Sequence, residues 1–428
     1  MYSTKRLASS LLFAFILSAG PAAGLPRGEE SKSIAQQKSN SSQSPANALY
    51  FLTNEAQNAV AALKINSDGT LSAGSCTGTG GAGSNGIDGS TGQPAVPDAL
   101  FSQSALTVAG NHLFAVNAGS NTVSMFAISR SDPTSLKPMG RPAGLPGDFP
   151  VTVAASAKHG MVCAGTTGAL AGVSCARFSA KGGIGEFDAL RGFDLGQSNP
   201  PVGPTNTVSQ VFFNDAQDTL FATVKGDPAK NNTGFLASFP VLRQNGGTCG
   251  VSVSAQGSMA SPSGTAVLFG ARPLPDTGDG SAGNSSRIFA TDASFGAAVL
   301  GAGSQGQATV LGKGTLADQK ATCWATLNDV TGTAFVTDVG INRLVEMSVE
   351  NASVLGEVDL SATGDPGLID LTSSGSFVYA LSPGNGTTSA AISVVDVKGG
   401  AEEAKLVQHF QLTGVAGKNS QGIAVFHS

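Results

Sequence analysis

Residues Thr333–Val349 read TAFVTDVGINRLVEMSV. An apolar run leads into a polar turn holding Asp338, Gly340 and Asn342, and a second apolar run leads out. β-Branched and aromatic residues on either side of Gly and Asx predict a β-hairpin. The same unit recurs as ALYFLTNEAQNAVAAL, HLFAVNAGSNTVSMFAI, GMVCAGTTGALAGVSCARF, TLFATVKGDPAKNNTGFLASF, RIFATDASFGAAVLGA and FVYALSPGNGTTSAAISVVDV. The seven copies begin near residues 48, 112, 160, 219, 287, 333 and 377.

A further short apolar strand stands before each copy except the first: ALTVAG, VTVAAS, VSQVFF, TAVLFG, CWATL and LIDLTS. The first copy follows a polar stretch instead, and its missing partner lies at the far end, in GIAVFHS at 422–428. Seven units of three strands, with the last strand completing the first unit, predict a ring. One more strand after each hairpin makes four per unit, as in a β-propeller. The expected fold is therefore all-β: a seven-bladed β-propeller over 47–428, closed by the C-terminal strand pairing into the first blade. Closure also removes the bare faces that an open stack would leave at its two ends.

The composition agrees. The chain has 428 residues, 57 of them Gly, with 12% charged and 6% aromatic residues and a net charge of −5. No basic patch suits nucleic acid, and no polybasic segment suits a membrane anchor. Lys5 and Arg6 precede LLFAFILSA and then PAAG, the order of a secretory signal peptide over 1–24. The polar stretch at 25–46 reads as a disordered leader. Export gives meaning to five Asn-Xaa-Ser/Thr sites, at Asn40, Asn231, Asn284, Asn351 and Asn385, as glycosylation acceptors. It also permits disulfides. Of Cys76, Cys163, Cys175, Cys249 and Cys323, the pair Cys163 and Cys175 flanks one hairpin turn in VCAGTTGALAGVSC and is the expected bridge.

Four stretches carry a family resemblance: DALFSQSALTVAGNHLFAVNAGSNTVSMFAI, PPVGPTNTVSQVFFNDAQDTLFATVKGDP, ATCWATL and GDPGLIDL followed by FVYALSPGNGTT. They resemble secreted fungal 3-carboxymuconate cyclase-like proteins of the 6-phosphogluconolactonase-type lactonase family. The resemblance runs over the chain beyond the leader. It implies a seven-bladed propeller and a cell-wall antigen or adhesin role. For the family's enzymes it implies His, Glu and Arg side chains where inner strands meet the channel. The stretches SQSALTV, FPVTVAAS, NTVSQVFF, SGTAVLFG, ATCWATL, PGLIDL and SQGIAVF contain none of the three, so no catalytic residue is carried over.

Other chemistry is sparse. His112, His159, His409 and His427 lack metal-ligand spacing and read as turn or surface residues. No metal or cofactor is expected. Asp88, Asp98, Asp148, Asp227 and Asp365 each sit beside or near Gly or Pro, where Asp commonly closes a turn through its side chain. Trp324, the single tryptophan, reads as a core residue. Gln103, Asn206, Gln210, Thr322 and Gln421 begin inner strands and form the expected polar channel mouth, with Arg343 as a further binding candidate. Arg343, Arg141 and Lys225 are the cations available to a lactone chemistry. The long loop at 75–103, with Ile87, Val96, Leu100 and Phe101, is expected to pack over one mouth of the ring. The functional expectation is a secreted glycoprotein that binds a matrix protein or glycan; the alternative is a lactone-forming or lactone-hydrolysing enzyme.

Overall fold

The computed structural model describes residues 48–243, 250–275, 286–303 and 306–427. The expected signal peptide and leader, Asn40, Cys249 and Asn284 lie outside them. Among the described residues the chain is all-β, with helix limited to single short turns. Seven antiparallel sheets follow one another. Their inner strands are Gln421–Phe426 (blade 1), Leu106–Ala109, Pro150–Ser156, Val208–Phe213, Leu268–Leu274, Thr322–Asn328 and Leu371–Ser374 (blade 7). Each inner strand packs on the next, and that of blade 7 packs on that of blade 1. The ring is thus closed as the sequence predicts, by the C-terminal strand lying antiparallel to Ala48–Leu52, with Ala48 opposite Phe426 and Leu49 opposite Val425.

Burial explains the composition. Middle strands are covered on both faces by neighbouring blades: every residue of Met161–Thr166 and of Gly296–Ala302 is buried. Two-sided burial calls for continuous apolar runs, and Ala and Gly keep the blades close. The outermost strand of blade 1, Leu71–Gly78, instead alternates toward solvent. Cys163 and Cys175 face each other across two strands of blade 3 and form the expected disulfide.

The 333–349 hairpin forms in blade 6. Asn342 takes a left-handed φ of 62°, and its N–H donates to the Asp338 carbonyl at 3.1 Å. The Asp338 carboxylate accepts from the backbone N–H groups of Lys320 and Ala321, both at 2.9 Å, so it fixes the entry to that blade's inner strand. Asp292 does the same in blade 5, accepting from Ala266 at 2.7 Å and Val267 at 3.0 Å. Blades are also pinned to one another: Asn58 of blade 1 donates to the Val116 carbonyl and the Asn117 side chain of blade 2, each at 3.0 Å.

Two expectations need correction. By its Pro, Gly and Asp content the stretch RPLPDTGDGSAGNSS at 272–286 reads as a polar loop interrupting blade 5. In fact the inner strand continues through Arg272 and Pro273 to Leu274, and the next strand begins at Ser286. An arginine therefore does lie on an inner strand. The long loop also starts later than expected, because residues 75–78 belong to the outer strand of blade 1.

Candidate functional site

The connection from blade 1 to blade 2 crosses one mouth of the ring. Ile87–Asp88 runs parallel to Val202–Gly203, between blades 3 and 4. Farther on, the chain dips inward. Gly86 and Gly203 flank the Phe101 ring so closely that a Cβ on either would lie within 2.5 Å of it. Asp98 shapes the descent, its Oδ1 accepting from the Phe101 N–H at 2.9 Å. The Ser102 carbonyl then accepts from the Trp324 indole N–H at 2.9 Å. Gln103 reaches across the ring: its Nε2 donates to the Ala325 carbonyl at 2.8 Å and to Asp370 at 3.3 Å, and its Oε1 accepts from the Ala325 N–H at 3.2 Å.

Beside this descending segment lies a cavity of about 390 Å³, open over blades 4, 5 and 6. Its walls include Val96, Phe101, Val267, Phe269 and Trp324, and its titratable residues are Asp88, Asp98, Lys225, Lys320 and Cys323. Lys225 is only 1% exposed. Its ammonium donates to the Phe101 carbonyl at 2.5 Å and to Ser209 Oγ at 3.0 Å, and lies 4.4 Å from the Phe269 ring centre. Burial pushes the Asp98 carboxyl up to about 7, against the Lys225 charge and the Phe101 N–H, which pull it down. Burial pushes Lys225 down to about 8, opposed chiefly by Asp98. Both groups thus titrate near neutrality, where a side chain can give or take a proton at working pH. Burial also raises the Cys323 thiol, which keeps it protonated and unreactive.

The expected mouth residues are dispersed and largely occupied by protein partners. Gln103 and Gln421 hold the crossing segment, the latter by donating to the Pro97 carbonyl at 3.0 Å. Gln210 Nε2 donates to Ser104 Oγ at 3.1 Å, while its Oε1 accepts from the Ala271 N–H at 2.6 Å. Asn206 donates to the Leu195 carbonyl at 2.7 Å, and Thr322 donates to Gln319 at 2.8 Å. Arg343 is bound within blade 6, pairing with the fully buried Asp338 and with Glu357, each at 2.8 Å. Asp88 caps its own turn through Ser90 and Thr91, Asp148 accepts from Asn121 and Leu170, and Asp227 pairs with Lys230. Asp365 pairs with His409 at 3.1 Å. His159 lies in the turn expected before Met161–Thr166, but it is buried there, its Nε2 lying 2.7 Å from the Gln217 carbonyl.

A second buried carboxyl, Asp370, stands just before the inner strand of blade 7. Asp370 accepts from the Leu371 N–H at 2.9 Å and from the Ile423 N–H of the closing strand at 3.2 Å. Burial raises its carboxyl to about 7, against the charge of Arg272 and several backbone N–H groups. Neither Asp370 nor Arg272 stands out in the sequence: Asp370 lies in the apolar stretch PGLIDL, and Arg272 lies next to prolines that suggest a loop.

Solved structures share the fold. The periplasmic gluconolactonase of Pseudomonas aeruginosa superposes with a TM-score of 0.58 at 13% identity, over 88% of this chain and 99% of that one. The chain shares that lactonase's propeller fold. A Bacteroides fragilis protein, assigned but not proven as a 6-phosphogluconolactonase, gives 0.55 at 10% identity over 88% and 98%. A Desulfotomaculum acetoxidans protein of unknown function gives 0.55 at 10% over 89% and 99%. No family model and no curated protein matches the chain.

Proposed function

We propose that this chain is a secreted, glycosylated propeller that works by binding, and that the cavity over blades 4 to 6 is where it takes a small molecule. The observation carrying the reading is one cavity in which an apolar wall surrounds Asp98, with Lys225 held behind it. Pockets of this size, lined by apolar side chains and few polar groups, are typical of small-ligand sites. Export is supported by the signal-like N-terminus, and Asn231, Asn351 and Asn385 all lie exposed on turns, accessible to glycosylation. A matrix protein or glycan is the macromolecular partner proposed for the outer surface.

The test uses Trp324, the single tryptophan, which lines the cavity. Ligands entering the cavity are expected to change its fluorescence saturably, and Asp98→Asn is expected to weaken them. A broad small-molecule panel that leaves the emission unchanged overturns the cavity reading. Peptide mapping of the native secreted protein checks glycosylation at the three exposed sites, and finding none modified removes that part.

The second reading is lactone formation or hydrolysis, favoured by the Asp98–Lys225 pair. The carboxylate of Asp98 would take a proton from water as the oxygen attacks a lactone carbonyl. The resulting carboxylic acid would return it to the ring oxygen as the acyl–oxygen bond breaks. Release of a hydroxy acid from simple lactones, lost in Asp98→Asn, is the expected result under that reading.

A further inference from the structure

The charges lining the cavity are balanced, and the inner cation is already committed. This bears on what kind of molecule fits. Lys225 has three N–H donors. Two go to Phe101 and Ser209, and the ammonium also lies over the Phe269 ring. One N–H is left, beside the Phe269 ring, and with the side chain 1% exposed little of it is presented to an incoming anion. Lys320 is exposed at the rim, where a single flexible charge in water contributes little. Asp88 lines the same cavity with the opposite sign.

Asp98 is the carboxyl set among the apolar walls, with the Thr205 hydroxyl as a further polar group of the lining. Only its Oδ1 is engaged by the Phe101 N–H. Once ionised, it repels a carboxylate or phosphate brought into an apolar cavity. The same carboxyl accepts a hydrogen bond from a hydroxyl when ionised and donates one to a carbonyl when protonated. Around it stand Val96, Phe101, Val267, Phe269 and Trp324, surfaces that gain from covering hydrocarbon.

We propose that this cavity selects an uncharged ligand with a hydrocarbon body and one carbonyl or hydroxyl at Asp98, such as an alkyl-substituted lactone, and rejects phosphorylated or carboxylated molecules. The inference rests on the cavity reading above and narrows it. It separates this chain from any role requiring a sugar phosphate at the same place. For lactone opening at this site it implies easy product release, because the hydroxy acid formed carries a carboxylate that the site does not hold.

The experiment titrates the full mature protein near neutral pH, following Trp324 fluorescence. The probes are δ-nonalactone, 5-hydroxynonanoate, glucono-δ-lactone and 6-phosphogluconate. δ-Nonalactone is expected to bind at least about tenfold more tightly than each of the other three. Asp98→Asn should close part of the gap by improving 5-hydroxynonanoate binding severalfold. Tightest binding by 6-phosphogluconate or 5-hydroxynonanoate overturns the charge selectivity and leaves the cavity reading standing. Tightest binding by glucono-δ-lactone overturns the hydrocarbon requirement. No saturable response to any of the four overturns both.

Discussion

Asp370 joins three parts of the ring: the start of blade 7's inner strand, the closing strand through Ile423, and the crossing segment through Gln103. Its raised carboxyl makes a pH prediction with a definite sign. In the unfolded chain the group titrates near its ordinary 3.8, and in the folded chain near about 7. Between those values the folded state holds a proton that the unfolded state has lost. The associated stability is full below 3.8, falls as pH rises, and is gone above about 7. One pH unit corresponds to about 1.4 kcal/mol, so between pH 5 and pH 8 this group alone should cost the fold about 2–3 kcal/mol. Asp370→Asn cannot titrate. Urea unfolding of both proteins at several pH values, followed by Trp324 fluorescence, should show the wild type losing that much more stability over the interval. Asp98 shifts in the same direction but is present in both proteins, so the difference isolates Asp370. Identical pH profiles would refute the reasoning.

Deleting residues 421–428 removes the inner strand of blade 1, and thermal melting of the truncated protein should show large destabilisation or no cooperative transition; unchanged melting contradicts closure. Replacing Cys163 and Cys175 together by Ser should lower stability by about 2–3 kcal/mol, the scale for a short loop, measured by denaturant unfolding without reductant. Arg343→Ala leaves the buried Asp338 without its cation and should cost about 3–5 kcal/mol. The same variant should retain the Trp324 ligand response at temperatures where it is folded; loss of that response would return Arg343 to the list of binding residues.

The architecture was legible because its signal repeats. Each hairpin carries the same apolar–turn–apolar order, and the strand missing before Ala48 reappears at Gly422. The crossing loop was legible too, since Leu100 and Phe101 are too apolar to stay in solvent. The cavity was not. Asp98 looked like any turn aspartate and does cap a turn; its place in one cavity with Lys225 depends on segments distant in sequence. Arg272 was hidden by the prolines around it, which suggest a loop although Pro273 sits within a strand opposite Ile288. Trp324 reads as core and is core, at 1% exposure, while one side of it still forms a cavity wall.

The closure of blade 1 also has a kinetic consequence. The pairing of Ala48–Leu52 with Gln421–Phe426 joins opposite ends of the domain, and such non-local pairings form slowly. During synthesis from the N-terminus, three strands of blade 1 emerge first and must wait for the fourth until the rest of the domain has been made. Throughout that delay Ala48–Leu52 keeps an apolar edge unpaired, the form of strand most prone to join another chain. The last strand therefore governs not only how stable the ring is but how long each new molecule remains open to misassociation.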